Sequence, residues 1–410
     1  MSGRIYDAAV VGAGMVGAAL ACALGRAGFR VALLEQSRPE RFDAKANDLR
    51  VSAISPATQN VLSNLGVWES VCKARVSPYR SMYVWDAAGG GAIRFEAADL
   101  QQDHLGHIVG NRLLQSVLLD AISGMPEIDF YCPAGIRNLH IGPDCMEIET
   151  ADIRLRAALV VGADGAHSRV RELAQIGVQS WQYEQRGLIA TVQTELSHER
   201  TAWQRFLPTG PLAFLPLQDG RSSIVWSTTV EQAEQLLALS EPQFCASLSE
   251  AFEHRLGKVL GVGDRQAFPL QFMHARRLIG NRIALVGDAA HVVHPLAGQG
   301  VNMGILDVAE LAHCLEQARG NSSDPGGIKT LRRYERARRT ENWMLGLSLD
   351  AIKRLFAAQS MPLVALRSSG LKFVDGSPLL KHFFMRKAMA IDSSVPPLAQ
   401  SPAANETLPL

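Results

Sequence analysis

Three glycine turns, far apart in the chain, carry the residues whose types and spacing could do chemistry. The first is Gly12-x-Gly14-x-x-Gly17. Gly12 permits a tight turn, Gly14 lets the backbone approach a pyrophosphate, and Gly17 allows close packing of helix on strand. A helix opening at that point offers free N–H groups and a partial positive charge to phosphate. Glu35 stands about 20 residues further on, where an acid can grip ribose hydroxyls. The second turn is Gly162-Ala163-Asp164-Gly165, with His167, Ser168 and Arg169 just after it. The third, Gly287-Asp288-Ala289-Ala290-His291, runs on to Pro295, Gly298, Gln299, Gly300 and Asn302. Asp288 at a strand end suits hydrogen bonds from a polyol such as ribitol. The run Gly298–Gly304 leads into a helix, whose free N–H groups can meet a ring carbonyl that gains negative charge on reduction. The first motif alone fits FAD, NAD or a plain turn. The three together, in this order, point to FAD.

The elements that must position these turns read clearly. Tyr6–Val11 is a buried strand, Met15–Ala27 an alanine-rich helix and Arg30–Glu35 a second strand, a βαβ opening that implies a parallel sheet. Helices are expected at Pro56–Leu65 and at Asn111–Ile122, where Leu113, Leu114, Val117, Leu118 and Ala121 share a face. Ala158–Val161 and Arg282–Val286 read as short buried strands feeding the second and third turns. Between them the texture changes. Gly187–Glu195, Ala202–Leu207, Ala213–Leu217 and Ser222–Thr228 are short, rich in β-branched and aromatic residues, and parted by turn residues. Gln182–Leu270 therefore reads as mainly an antiparallel sheet domain, with helices at Glu231–Leu239 and Glu241–Leu256. From Asp307 the pattern is helical, and from Ser393 it reads as a disordered tail.

Composition narrows the function class. In 410 residues, Lys+Arg 41 against Asp+Glu 40 gives a net charge of +1, which argues against a nucleic-acid binder. No apolar run is long enough to span a membrane and no signal peptide opens the chain, so a cytoplasmic location is expected. The six cysteines are scattered without a C-x-x-C pair, which speaks against zinc or a dithiol centre and predicts mostly buried thiols. No metal is expected.

The three turns resemble the flavin motifs of the aromatic-hydroxylase flavoproteins, typified by para-hydroxybenzoate hydroxylase. Within that group the chain looks most like the ubiquinone-biosynthesis hydroxylases, on the stretches Leu49–Ile54, Leu65–Glu69, Val84–Asp86, Leu105–Asn111 and Gly287–Gly304. One position departs from the pattern. Gly110 stands where a glutamate is expected before Asn111, and Arg112 next door offers a substitute contact.

The resemblance implies an α/β fold: a discontinuous FAD-binding Rossmann-like domain (1–75, 101–180 and 271–342), an antiparallel sheet substrate domain (76–100 and 181–270), a C-terminal helical segment (343–392) and the tail (393–410). It places Gly12, Gly14 and Gly17 on the FAD pyrophosphate and Glu35 on the adenosine ribose. Arg50 would reach the phosphates or the flavin-proximal end, Arg112 would border the cofactor, and Asp164 would touch both FAD and the incoming nicotinamide. Asp288 would bind the flavin chain, with Gly300, Val301 and Asn302 at the pyrimidine edge. The implied reaction uses NAD(P)H and O2 to hydroxylate the ring of a polyprenyl phenol in ubiquinone biosynthesis. Other ubiquinone-biosynthesis proteins are expected partners. His291 and His294 bracket the approach to Pro295 and either hold a phenol and relay its proton or simply pack the turn; His294 is the catalytic candidate. Trp203, Phe206, Phe214, Leu215, Pro216 and Trp226 make an aromatic stripe that reads as core before pocket. The helical stretch with Trp343, Leu347, Ile352, Leu355 and Phe356 beside Lys353 and Arg354, followed by Arg367, Lys372, Lys381, Arg386 and Lys387, reads as a packed helix or as a face for peripheral contact with the inner membrane. The alternatives are a hydroxylase of another phenol and a non-catalytic FAD-binding scaffold. A flavin halogenase is disfavoured because the six tryptophans never sit two apart, and a prenyl reductase of related fold would not consume O2.

Overall fold

Strand Ile5–Val11 is continuously apolar from Ala8 to Val11 because helices cover both faces of its sheet there. In a computed structural model that describes residues 5–43, 48–142, 144–391 and 395–402, it lies at the centre of an eight-stranded sheet. It pairs in parallel with Val31–Leu34 and with Arg154–Gly162, and Ile128–Tyr131 and Ile283–Leu285 extend the sheet in parallel on either side. The register sets Val11, Gly162 and Leu285 abreast. All three glycine turns therefore leave one edge of one sheet, the carboxyl edge where open parallel sheets bind ligands.

The helices are α1 (Met15–Arg26), α2 (Pro56–Asn64), α3 (Trp68–Ala74), α4 (Asn111–Ser123), α5 (Arg169–Leu173), α6 (Val230–Ala238), α7 (Glu241–Ala251), α8 (Gln299–Gly320), α9 (Ile328–Ala357), α10 (Met361–Asp375) and α11 (Pro378–Met389). On α4 the residues Leu113, Leu114, Leu118 and Ile122 are buried, the face the periodicity predicts.

The second sheet has nine strands, with Val178–Thr194 near its middle. Its pairings are antiparallel except that Thr201–Leu207 runs parallel to Ser81–Asp86. Phe214 and Trp226 are buried on one face, in a cluster with Phe244, Leu248 and Phe252 from α7 and the turn after it. On the other face Phe206 stacks on Phe356 of α9 at 3.9 Å. The aromatic stripe is thus largely core.

Several expectations shift. Val178–Thr194 is one strand of 17 residues, continued across an irregularity between Gln182 and Gln185 where Glu184 takes φ +52°. The helix expected from Asp307 opens earlier, at Gln299, because the glycines of the third turn form its first two turns. The boundary drawn at Trp343 falls inside α9. A three-stranded sheet of Val51–Ile54, Gly106–Gly110 and Ser77–Tyr79 has no counterpart in the sequence reading. The tail is ordered in part: Pro397–Ala399 forms a short turn docked on α2, where Asn60 donates to Ala399 O and Asn64 to Leu398 O and Gln400 O. Residues 393, 394 and 403–410 of that expectation lie outside the described residues.

Candidate functional site

The first two turns interlock. Gly12 has φ +101°, and a Cβ there would lie 2.4 Å from Ala163 O. A Cβ on Gly17 would lie 1.9 Å from Gly12 O. Both glycines are demanded by packing alone. Gly14 differs: a Cβ there would meet nothing within 4 Å. Its smallness leaves open space in front of the first turn of α1, whose N–H groups have no helical partner. Glu35 accepts from Ala13 N–H at 2.7 Å and from Ser37 N–H at 3.2 Å, so the acid holds the loop with lone pairs to spare. Gln115 of α4 donates to Ala13 O at 2.8 Å and fixes the loop from the other side.

Asp164 is committed to its own helix. Its carboxylate accepts from the Ser168 hydroxyl and from the N–H groups of Arg169 (2.7 Å) and Val170 (3.1 Å), capping α5. Arg171 then donates to Ala166 O and Ala289 O, both at 2.8 Å, and ties the second turn to the third.

Small residues join the third turn to the first. A Cβ on Gly304 of α8 would stand 2.7 Å from Val16 Cγ2 and 3.1 Å from Gly287 Cα. Asp288 leaves this junction with no hydrogen-bond partner among the described residues. Its carboxyl is open to solvent yet recessed in the protein mass, and that burial raises its pKa against the pull of His291 and Arg50. The Arg50 guanidinium lies over the Phe268 ring at 4.8 Å. Gly298 caps α8 in the left-handed conformation, φ +61°. In front of Gly300 a Cβ would again meet nothing within 4 Å. The Asn302 side chain is already engaged, donating to Ala53 O at 2.9 Å and accepting from Ser55 N–H at 3.0 Å. Only its backbone is left for a ligand.

These features fit FAD. Open ground lies before two helix N-termini, a recessed carboxylate lacks a partner, and an acid stands beside the glycine loop. Each meets a group that an adenine dinucleotide with a polyol and a flavin ring carries.

The other predicted residues sort out by contact. Arg112 pairs with Glu40 at 2.6 Å at the surface. Its backbone N–H donates to Asp48 at 2.7 Å. Asp48, and not the Arg112 side chain, fills the space that Gly110 leaves: a Cβ on Gly110 would lie 2.5 Å from Asp48 Oδ2. His291 packs the turn. It is buried, and its Nε2 donates to Asp307 at 2.6 Å. Asp307 is fully buried and also accepts from Gly287 N–H (3.1 Å), Arg338 Nε (2.9 Å) and Asn342 Nδ2 (2.9 Å). Burial alone would raise its carboxyl; the charges of His291 and Arg338 and the hydrogen bonds reverse that and hold it below the usual range.

His294 is 1% exposed, and neither ring nitrogen has a partner among the described residues. Tyr183 meets its ring edge-on at 5.2 Å. Burial pushes its pKa down to about 4, with Lys353 adding to the shift and Asp350 opposing it, so the imidazole is neutral at ordinary pH. Sequence reasoning missed Gln115, Arg171, Asp307, Arg338, Asn342 and Asp48. Asp307 had one legible signal, an acid on an otherwise small and apolar helical face.

The family model described as "FAD binding domain" matches residues 5–345. The chain belongs to this family of FAD-binding proteins. Within it the chain belongs with the ubiquinone-biosynthesis hydroxylases. It is 38% identical to 3-demethoxyubiquinol 3-hydroxylase of Escherichia coli, over 95% of this chain and 100% of the relative. It is 36% identical to the mitochondrial ubiquinone biosynthesis monooxygenase COQ6 of Homo sapiens, over 93% and 92%. The fold is shared with p-nitrophenol 4-monooxygenase from Pseudomonas putida, at TM-score 0.77 and 20% identity over 94% of this chain and 98% of that one.

Proposed function

We propose that this chain is an FAD-dependent monooxygenase that hydroxylates the aromatic ring of a polyprenyl phenol in ubiquinone biosynthesis, with NAD(P)H and O2 as co-substrates. The observation that carries the reading is the register of Val11, Gly162 and Leu285, which delivers all three glycine turns to one sheet edge. Family membership supports the rest. When bound, FAD supplies the electrons taken from NAD(P)H and the activation of O2.

The chain's own residues bind, orient and shield. Gly12, Gly14 and Gly17 and the start of α1 receive the pyrophosphate, and Glu35 the ribose. Asp288 accepts hydrogen bonds from the polyol, with Arg50 beside it. The N–H groups of Gly300, Val301 and Asn302 stabilise charge at the pyrimidine edge of the ring. Asp164 sets the turn at which the nicotinamide arrives, and Arg112 borders the cofactor. His294, neutral and unpartnered, holds the phenol hydroxyl or takes its proton. Among the described residues no helix is long and apolar enough to cross a membrane; the contact proposed with the inner membrane, where the substrate dissolves, is a peripheral one.

Lipid mass spectrometry of a strain lacking this chain tests the assignment. A quinone precursor one oxygen short is the expected result. An unchanged quinone profile, in a strain without a paralogue, overturns it and favours a soluble phenol. Bleaching of the bound flavin by NADPH or NADH separates an enzyme from a scaffold.

A further inference from the structure

Of the 18 large apolar side chains exposed among the described residues, 12 fall between Met344 and Phe384, about a tenth of the chain. The most open are Leu379 at 84%, Met361 at 79% and Phe373 at 69%. On α11, Leu379, Leu380, Phe383 and Phe384 recur at the spacing of one helix face. The opposite face is anchored, with Met385 and Met389 packed on Ala97 and Leu105. Helix α10 is anchored as firmly: Arg367 is buried and donates to both oxygens of Asp86, at 2.8 and 3.0 Å. These helices are docked on the substrate sheet, and what they show to solvent is a fixed apolar surface.

Charge decides what covers it. From Trp343 to Ile391 there are seven Lys and Arg against two Asp; with Arg367 buried on Asp86 the face keeps six against two, a net of +4, while the whole chain carries +1. The rest of the molecule is therefore −3. Apolar side chains flanked by cations such as Lys372 and Arg354 match an anionic bilayer. A second copy presenting the same face would set +4 against +4.

We propose that α10, α11 and the outer side of α9 form an interfacial docking surface for an anionic lipid bilayer. Its role in supplying substrate rests on the proposed function. Helix α9 carries Ile352 on the exposed side, while its Lys353 Nζ lies 4.8 Å from the Tyr183 ring beside His294. Leu349 and Phe356 of the same helix pack in a cluster with Leu296. A phenol leaving the bilayer at this face is thus already beside the helix that borders the site.

Flotation of the full-length, FAD-loaded protein with vesicles tests the surface without reading activity. The parent is expected to float with phosphatidylglycerol-rich vesicles and about tenfold less with phosphatidylcholine alone or at high salt. The double variant Leu379→Glu/Phe383→Glu is expected to lose flotation with unchanged melting temperature and flavin fluorescence. Lys372→Glu is expected to weaken it and flatten its salt dependence. Failure of the parent to float, or equal flotation of the variants, overturns the proposal. A dimer seen by light scattering, split by the double variant and blind to vesicles, overturns it in favour of a second copy. A quinone precursor one oxygen short in the strain lacking this chain, with no flotation of the protein, would sink the surface and leave the function standing.

Discussion

Asp288 and Asp307 lie on the two sides of one glycine turn and have opposite surroundings. In front, Asp288 is recessed, reachable by solvent and without a hydrogen-bond partner among the described residues, and its carboxyl is pushed up. Behind, Asp307 is fully buried, accepts four hydrogen bonds and is pushed down. In the proposed function the front acid is left for a ligand, whereas the rear acid has its partners supplied by the chain. The difference separates a group kept for function, at some loss of stability, from one that secures the turn.

The largest effect is expected on the rear side. Asp307→Ala takes from Arg338 its buried carboxylate, leaving it only the exposed Glu341 as an ion-pair partner, and strands His291; breaking such a network destabilises by about 3–5 kcal/mol. Chemical denaturation of the apoprotein would read it. The acid dependence has a fixed sign. A carboxyl lowered in the folded state contributes stability above its unfolded pKa, and that contribution is lost as pH falls through the folded value. The parent should lose this part of its stability only below about pH 4, and the variant should lack that loss. An Asp307→Ala protein as stable as its parent would remove the distinction between the two sides.

The glycines of the first loop draw the same contrast. Gly17→Ala forces a Cβ to 1.9 Å from Gly12 O, and the loop must deform, with a loss of roughly 1–3 kcal/mol. Gly14→Ala meets nothing and should fold as the parent does, while the added methyl enters the space in front of α1 and weakens FAD. Melting curves of the apoproteins alongside FAD titrations would separate the two. Equal destabilisation by both would mean that Gly14 also serves packing.

Asp288→Ala mirrors Asp307→Ala. Folding stability should stay within about 0.5 kcal/mol. The FAD dissociation constant should rise roughly 10–100-fold, the size of lost hydrogen bonds to a charged group. Quenching of flavin fluorescence measures it. Unchanged affinity would show that the polyol lies elsewhere.

The front of the site was legible in the sequence and the back was not, for a physical reason. Binding a pyrophosphate needs bare backbone at fixed intervals, so Gly12, Gly14 and Gly17 appear as a local pattern beside an apolar strand. The strands feeding each turn are buried on both faces and read as short apolar runs. Asp307, Arg338 and Asn342 come together only when α9 folds across α8, and Arg171 reaches Ala289 over 118 residues. No spacing rule encodes such pairs. The exposed face of α10 and α11 was legible as composition, but which side of each helix faces out depends on what Met385 and Arg367 find to pack against.

Gly110 tests that limit most narrowly, and the expected effect is the smallest. Helix α4 has no side-chain cap of its own. Asp48 reaches it from another loop and accepts from Arg112 N–H, so Asp48→Ala should lose about 0.5–2 kcal/mol, the range for a helix cap. A glutamate at 110 would begin 2.5 Å from the Asp48 carboxylate, so the two acids cannot share the space. Gly110→Glu should therefore destabilise the protein while Asp48 is present. It should be tolerated, or should restore the cap, in the Asp48→Ala background. A double-mutant cycle in melting temperature reads the coupling. Additive effects would mean that the two positions do not exchange one acid for another. Coupling would mean that the departure at Gly110 is compensated within the fold by Asp48.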